Sequence, residues 1–169
     1  MVWVGNRIMD FLVKPEWEMI EGARNAITDY CVESGLTTQH IEATVMVASE
    51  LSENAIKYGV FRPDVSEVKV IVTMGSGNIT IEVINPVGPE SFDHLEELDR
   101  TIQWIRSFQD PFEAYTQRLI RISQETPSNR TNGLGLARIA YEAQAVLDFF
   151  VDESDMLNVS AICNRTEEV

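Results

Sequence analysis

Residues 46–59 read Met-Val-Ala-Ser-Glu-Leu-Ser-Glu-Asn-Ala-Ile-Lys-Tyr-Gly. With Ile41 and Val45 just upstream, the apolar positions Ala48, Leu51, Ala55 and Ile56 recur at helical spacing, giving a helix with a back that can bury against a sheet. Glu50 and Asn54 lie four residues apart, one turn along the same face, and Lys57 and Tyr58 extend that polar stripe. Gly59 follows the last turn, where a left-handed residue would end the helix. Asn54 offers a neutral carbonyl oxygen suited to a hard cation such as magnesium beside phosphates. Glu50 is placed to act as a general base toward a hydroxyl or water that attacks a phosphate. A solvated Glu and a surface Asn would satisfy the same spacing, so the remainder of the chain has to decide between the two readings.

Outward from this stretch, residues 7–13 read as a first strand, and Pro15 is placed to open a helix that runs to about Glu33 and stops at Gly35. Thr37 or Thr38 can cap the helix that follows. Residues 67–74 and 78–84 alternate around Gly75-Ser76-Gly77 and predict a hairpin. The run Asn85-Pro86-Val87-Gly88-Pro89 is expected to be irregular. Leu95, Leu98, Ile102, Ile105 and Phe108 predict one helix, and Asp110-Pro111-Phe112-Glu113 opens a second. Residues 124–132 have the composition of a mobile polar loop, and Gly133-Leu134-Gly135-Leu136 leads into a further helix through Tyr141. Two strands, 145–152 and 156–163, close the chain. Helices grouped between hairpins predict an α+β fold, a two-layer α/β sandwich with a mixed sheet and helices on one face, in a single domain over residues 1–169.

The chain has 169 residues, 44% hydrophobic and 24% charged, as expected of one soluble globular domain. Its net charge of −14 argues against nucleic acid and anionic membrane surfaces as partners. It does not argue against a nucleotide, because a local nest of backbone N–H groups can hold phosphate on an acidic protein. No apolar run is long enough to span a membrane, and no signal peptide is evident. Cys31 and Cys163 lack metal-ligand spacing, so the expected setting is cytoplasmic and reducing.

Gly133 and Gly135 sit where a polar loop enters a helix, a place where the backbone can approach a phosphate and the helix dipole favours an anion. Asn129, Arg130 and Asn132 could add donors. A glycine-rich turn required only for packing would look the same.

Together these elements resemble the GHKL ATPase superfamily, which includes gyrase, histidine kinases and MutL. Glu50 to Gly59 is similar to that family's N box, and Asn129 to Ile139 to its second glycine box, in the family's order and with its hairpin between them. Within the superfamily the chain is most similar to anti-sigma-factor serine kinases and related bacterial partner-switching regulators. The resemblance implies the histidine-kinase-like ATPase fold, with ATP and Mg2+ as cofactors and Glu50 as catalytic base. It implies nucleotide contacts from Asn54, Lys57, Tyr58, Asn85, Asn132, Gly133, Leu134 and Gly135, with Asn54 also on the metal. It further implies a regulatory protein partner, either an anti-anti-sigma-like substrate or a sigma-like factor, and a homodimer. The segment 91–125 would be an ordered helical lid, with 124–132 closing over the phosphates.

Two positions depart from the family pattern. Asn85 stands where the family's first glycine box has an adenine-reading Asp, and Thr131 where the second usually begins with glycine. Two functions follow: an ATP-dependent protein serine/threonine kinase, or a degenerate relative that docks a partner with weak or no nucleotide binding. His40 and His94 read as ordinary surface residues. Trp104, Phe108, Phe112 and Tyr115 fit either core packing or an exposed docking surface.

Overall fold

A computed structural model describes residues 6–125 and 133–165. Five strands, β1 (Arg7–Val13), β2 (Val68–Met74), β3 (Asn78–Pro86), β4 (Val146–Val151) and β5 (Met156–Asn164), form one sheet in the order β1-β2-β3-β5-β4. Among the described residues, five α-helices accompany them, α1 (Met19–Glu33), α2 (Thr38–Tyr58), α3 (Phe92–Arg106), α4 (Pro111–Gln124) and α5 (Gly133–Glu142), with a short 3-10 turn over Pro89–Ser91 leading into α3. The two-layer sandwich expected from the sequence is present. The sheet is antiparallel at every described pairing rather than mixed: β2–β3 and β4–β5 are hairpins, β1 and β2 run opposite although α1 and α2 separate them in the chain, and β3 and β5 run opposite across the middle of the sheet.

Alternation puts Val68, Val70, Val72 and Met74 of β2 and Ile79, Ile81 and Val83 of β3 on the face toward the helices, all nearly or fully buried. Leu157, Ala161 and Cys163 of β5 continue that face. Against it lie Val45, Val47, Ala48, Leu51 and Ala55 of α2 and Leu136, Ile139 and Ala140 of α5, so the apolar back read from the sequence is the one that is buried. Helix α4 packs chiefly on α5 and α3. Asp110 caps it by accepting the Phe112 N–H at 2.9 Å, and Pro111 takes the first helical position. Arg106, at the end of α3, bonds to the Leu147 carbonyl and pairs with Asp148 at 3.8 Å, fixing α3 to β4.

Several boundaries differ from expectation. Helix α1 begins at Met19, not at Pro15. The intervening residues make tight turns instead, with the Glu16 N–H bonded to the Lys14 carbonyl and the Met19 N–H to the Glu16 carbonyl, which leaves Trp17 56% exposed. Gly35 does stop that helix in the left-handed region (φ 72°), with the Leu36 N–H reaching back to the Cys31 carbonyl and the Gly35 N–H to Val32. Gly59 is not left-handed: its φ is −63° and ψ 141°. It is glycine for want of room, since a Cβ there would lie 2.6 Å from both the Ala55 carbonyl oxygen and the Phe61 ring. Strand β3 extends through Asn85 and Pro86, which pair with Leu157 and Met156, so the run expected to be irregular begins only at Val87. Proline is tolerated at this last strand position because no further ladder donor is required of it. The Val60 N–H donates to the Pro86 carbonyl at 2.8 Å, tying the end of α2 to the end of β3.

Candidate functional site

Two adjoining hollows meet at Asn54. The first is a narrow cavity between α2, α3, the start of α5 and the ends of β3 and β5. It encloses about 580 Å³ of empty space with its mouth, of which a water centre can reach about 60 Å³. Leu51, Ala55, Val83, Leu98, Leu136 and Leu157 make it mostly apolar, and Asn54, Asn85, Thr101 and Glu97 supply its polar atoms. That is the usual composition of a small-molecule site: greasy walls with a few placed hydrogen-bonding groups.

Asn85 is 2% exposed. Its Nδ2 donates to the Pro86 carbonyl at 3.1 Å, which leaves the carboxamide oxygen as the acceptor it can offer to a ligand. Tyr58 stacks on His94, ring centroids 3.8 Å apart and planes 9° from parallel, and both rings line the cavity. His94 is therefore not the surface residue expected. Burial lowers its pKa below the usual histidine value, favouring the neutral ring. Its signal was present in the sequence: His94, Leu98, Thr101 and Ile105 recur at helical spacing, and His94 begins that stripe.

The second hollow is an open groove between α2, α4 and α5, with about 1330 Å³ of empty space including its mouth, of which a water centre can reach about 670 Å³. Glu50, Glu53, Asn54 and Lys57 form one wall, Leu134, Gly135 and Arg138 another, and Trp17, Tyr115 and Ile122 give it an apolar side. Arg138 holds Glu50 through Nη1 at 3.2 Å and Glu142 through Nε at 3.0 Å. Burial, and then the neighbouring Glu50, raise the pKa of Glu53. Lys57 reaches over the Tyr58 ring, 5.3 Å from its centroid.

The expected site residues thus fall into two sets. Asn54, Tyr58, Asn85 and Gly133 line the cavity; Glu50, Asn54, Lys57, Leu134 and Gly135 line the groove; only Asn54 belongs to both. Asn132, like Asn129, Arg130 and Thr131, lies outside the described residues. Sequence reading did not anticipate Arg138, nor Arg118, whose buried guanidinium lies where a Cβ on Gly133 would meet its Nε at 3.0 Å. Both arginines reach the site from helical positions that look like ordinary charged faces. The ring-bearing residues of α3 and α4 divide: Trp104 and Tyr115 are partly buried against the core, while Phe112 is 49% exposed. No group of three or more His, Cys, Asp or Glu side chains among the described residues is arranged to hold a metal ion. No described helix is long and apolar enough to cross a membrane.

No protein-family model and no curated protein sequence matches the chain. Its fold is similar to that of a chain in the crystal structure of the SiaB-SiaC complex from Pseudomonas aeruginosa, at a TM-score of 0.67 and 18% sequence identity. The match covers 94% of this chain and 91% of that one. It establishes a shared mixed α and β fold along nearly the whole chain.

Proposed function

We propose that this protein is a GHKL-type ATP-binding regulator that phosphorylates a serine or threonine on a regulatory partner protein in bacterial partner switching. The observation that carries the reading is the placement of Asn54 between two sites: an apolar cavity with a buried carboxamide at its base, and an open groove with a carboxylate in its wall. This division is the one a phosphoryl-transfer protein needs, with a dry pocket for the base and an accessible approach for the acceptor.

The residues fit the nucleotide at its base end. Asn85 would accept a hydrogen bond from the adenine amino group, and Leu51, Val83 and Leu136 would exclude water around the ring. The Tyr58–His94 stack narrows the cavity and would have to shift to admit it. Bound ATP supplies the transferable phosphoryl group. Magnesium would find one protein ligand in Asn54 and take its remaining ligands from phosphates and water, as this ion usually does. Lys57 would offset phosphate charge, and Glu50 would take up the proton of the partner's hydroxyl. The partner reading draws support from the structural neighbour, which was solved as a complex of two proteins. A cytoplasmic setting agrees with two free, buried cysteines.

A second reading, a docking module that works without nucleotide, is favoured by two observations. Asn85 replaces a charged adenine-reading residue, and Glu50 is engaged by Arg138 rather than free. Calorimetric titration of the full chain with ADP and ATP, with and without magnesium, separates the two. Saturable binding that strengthens with magnesium supports the kinase reading. No heat with either nucleotide at millimolar concentration leaves the docking module.

A further inference from the structure

Glycines at a helix entry are commonly explained by the approach of a ligand's phosphate. At Gly135 the space in question is already filled by the protein itself. A Cβ built on Gly135 would meet Glu50 Oε2, so the carboxylate would have to turn out of the place it occupies. Gly75 and Gly88 meet side-chain oxygens of Asn78 and Glu90 in the same way, but those are residues two or three positions along the chain, whereas Glu50 comes from another helix. The carboxylate is on α2 and the glycine on α5, 85 residues further along the chain. Glu50 is 24% exposed at its side chain, so its charge needs a partner, and Arg138, one turn along α5 from Gly135, provides it.

Arg138 is not committed to Glu50 alone. Its Nε bonds to Glu142 of the same helix at 3.0 Å, closer than the 3.2 Å between its Nη1 and Glu50. It is also 42% exposed, so solvent weakens the hold on Glu50. An arginine with two carboxylate partners can let one go and remain paired to the other. Loss of charge on Glu50 when it takes up a proton would favour that release.

We propose that Gly135 and Arg138 are positioning residues for Glu50. Gly135 leaves the seat into which the carboxylate fits, and Arg138 holds it there at the groove wall while Glu142 keeps Arg138 in place. This rests on the reading of Glu50 as the base, but its test does not require nucleotide.

The test is a set of thermal melts of the full chain without nucleotide, with far-ultraviolet circular dichroism confirming that each variant is folded. Gly135→Ala is measured alone, with Glu50→Ala and with Glu50→Gln. Removing the carboxylate empties the seat, so Gly135→Ala should raise the midpoint relative to its effect in the wild type by about 2–4 °C in the Glu50→Ala background. In the Glu50→Gln background, where the side chain has the same size, the wild-type behaviour should persist. Shifts that agree within about 1 °C in all three backgrounds overturn the seat. Arg138→Met should lower the midpoint when Glu50 is present and do so less in the Glu50→Gln background, and Arg138→Lys should restore at least half the difference. An equal Arg138→Met shift in both backgrounds overturns the hold. A parallel titration of the wild type with ADP keeps the outcomes separate, because failure to bind ADP defeats the nucleotide reading and leaves the melts unaffected.

Discussion

Replacing Asn85 with leucine tests the base end of the cavity with little disturbance of the fold. Asn85 is 2% exposed, and its side-chain amide donates to the Pro86 carbonyl at 3.1 Å. That carbonyl also accepts the Val60 N–H at 2.8 Å, so it is not left unsatisfied when the carboxamide is removed. Stability should therefore fall by no more than the net worth of one neutral hydrogen bond, about 0.5–1.5 kcal/mol. Part of that is recovered by an apolar side chain among Leu51, Val83 and Leu157. The midpoint should move by only a few degrees. Binding is another matter. With leucine at this position the adenine amino group would be buried without its acceptor, at a cost of about 1–3 kcal/mol, which corresponds to a roughly 5- to 150-fold weaker Kd. Calorimetry with ADP measures the second quantity, and a thermal melt without nucleotide measures the first. Asn85→Asp should bind as tightly as the wild type or more so, since it restores the charged acceptor, while melting lower because a buried carboxylate then faces the Pro86 carbonyl. Equal ADP affinity in the wild type and Asn85→Leu would refute this placement of the base.

Glu50→Gln should leave ATP affinity within a few-fold and remove transfer of labelled phosphate to a partner or to water; retained turnover would exclude Glu50 as base. Asn54→Ala should remove the magnesium dependence of ATP binding in calorimetry with the fold intact, and a persistent magnesium effect would place the metal elsewhere. Gly59→Ala should lower the melting midpoint by several degrees, at about 1–3 kcal/mol for overpacking, because the Ala55 carbonyl is backbone and cannot move aside. Gly59→Asn should do no better, whereas a left-handed glycine would have tolerated it. Burial raises the thiol pKa of Cys31 and of Cys163 to about 11, above the unfolded value of 9.0. The protonated thiol is favoured in the folded state, so this contribution is fully present below pH 9 and lost as pH rises toward 11. At two pKa units it amounts to roughly 2–3 kcal/mol per thiol. Urea melts between pH 8.5 and 11 should show a shallower decline in the Cys163→Ala variant than in the wild type; identical slopes would count against the buried-thiol account.

Local pattern in the sequence determined a great deal. The alternation of Val68, Val70, Val72 and Met74, and of Ile79, Ile81 and Val83, fixes two strands and the face each buries, because a strand repeats every second residue. The stripe Val45, Ala48, Leu51 and Ala55 fixes α2 and its buried side in the same way, and thereby puts Glu50 and Asn54 at the flank of that side, half-buried at the edge of the core. Asp110-Pro111 announces the start of α4, and Gly35 the end of α1. What these patterns do not carry is distance through space. The sequence could not show that α2 would close on α5 so that Glu50 fills the room left by Gly135, that Arg138 would turn toward α2 instead of solvent, or that His94 would lie flat on Tyr58. Nor could it distinguish a glycine needed for its backbone angle from one needed for its missing side chain, as at Gly59. Periodicity is written by interactions within one helix or strand. The site is made by contacts between elements tens of residues apart, and their identity is decided only when the whole core packs.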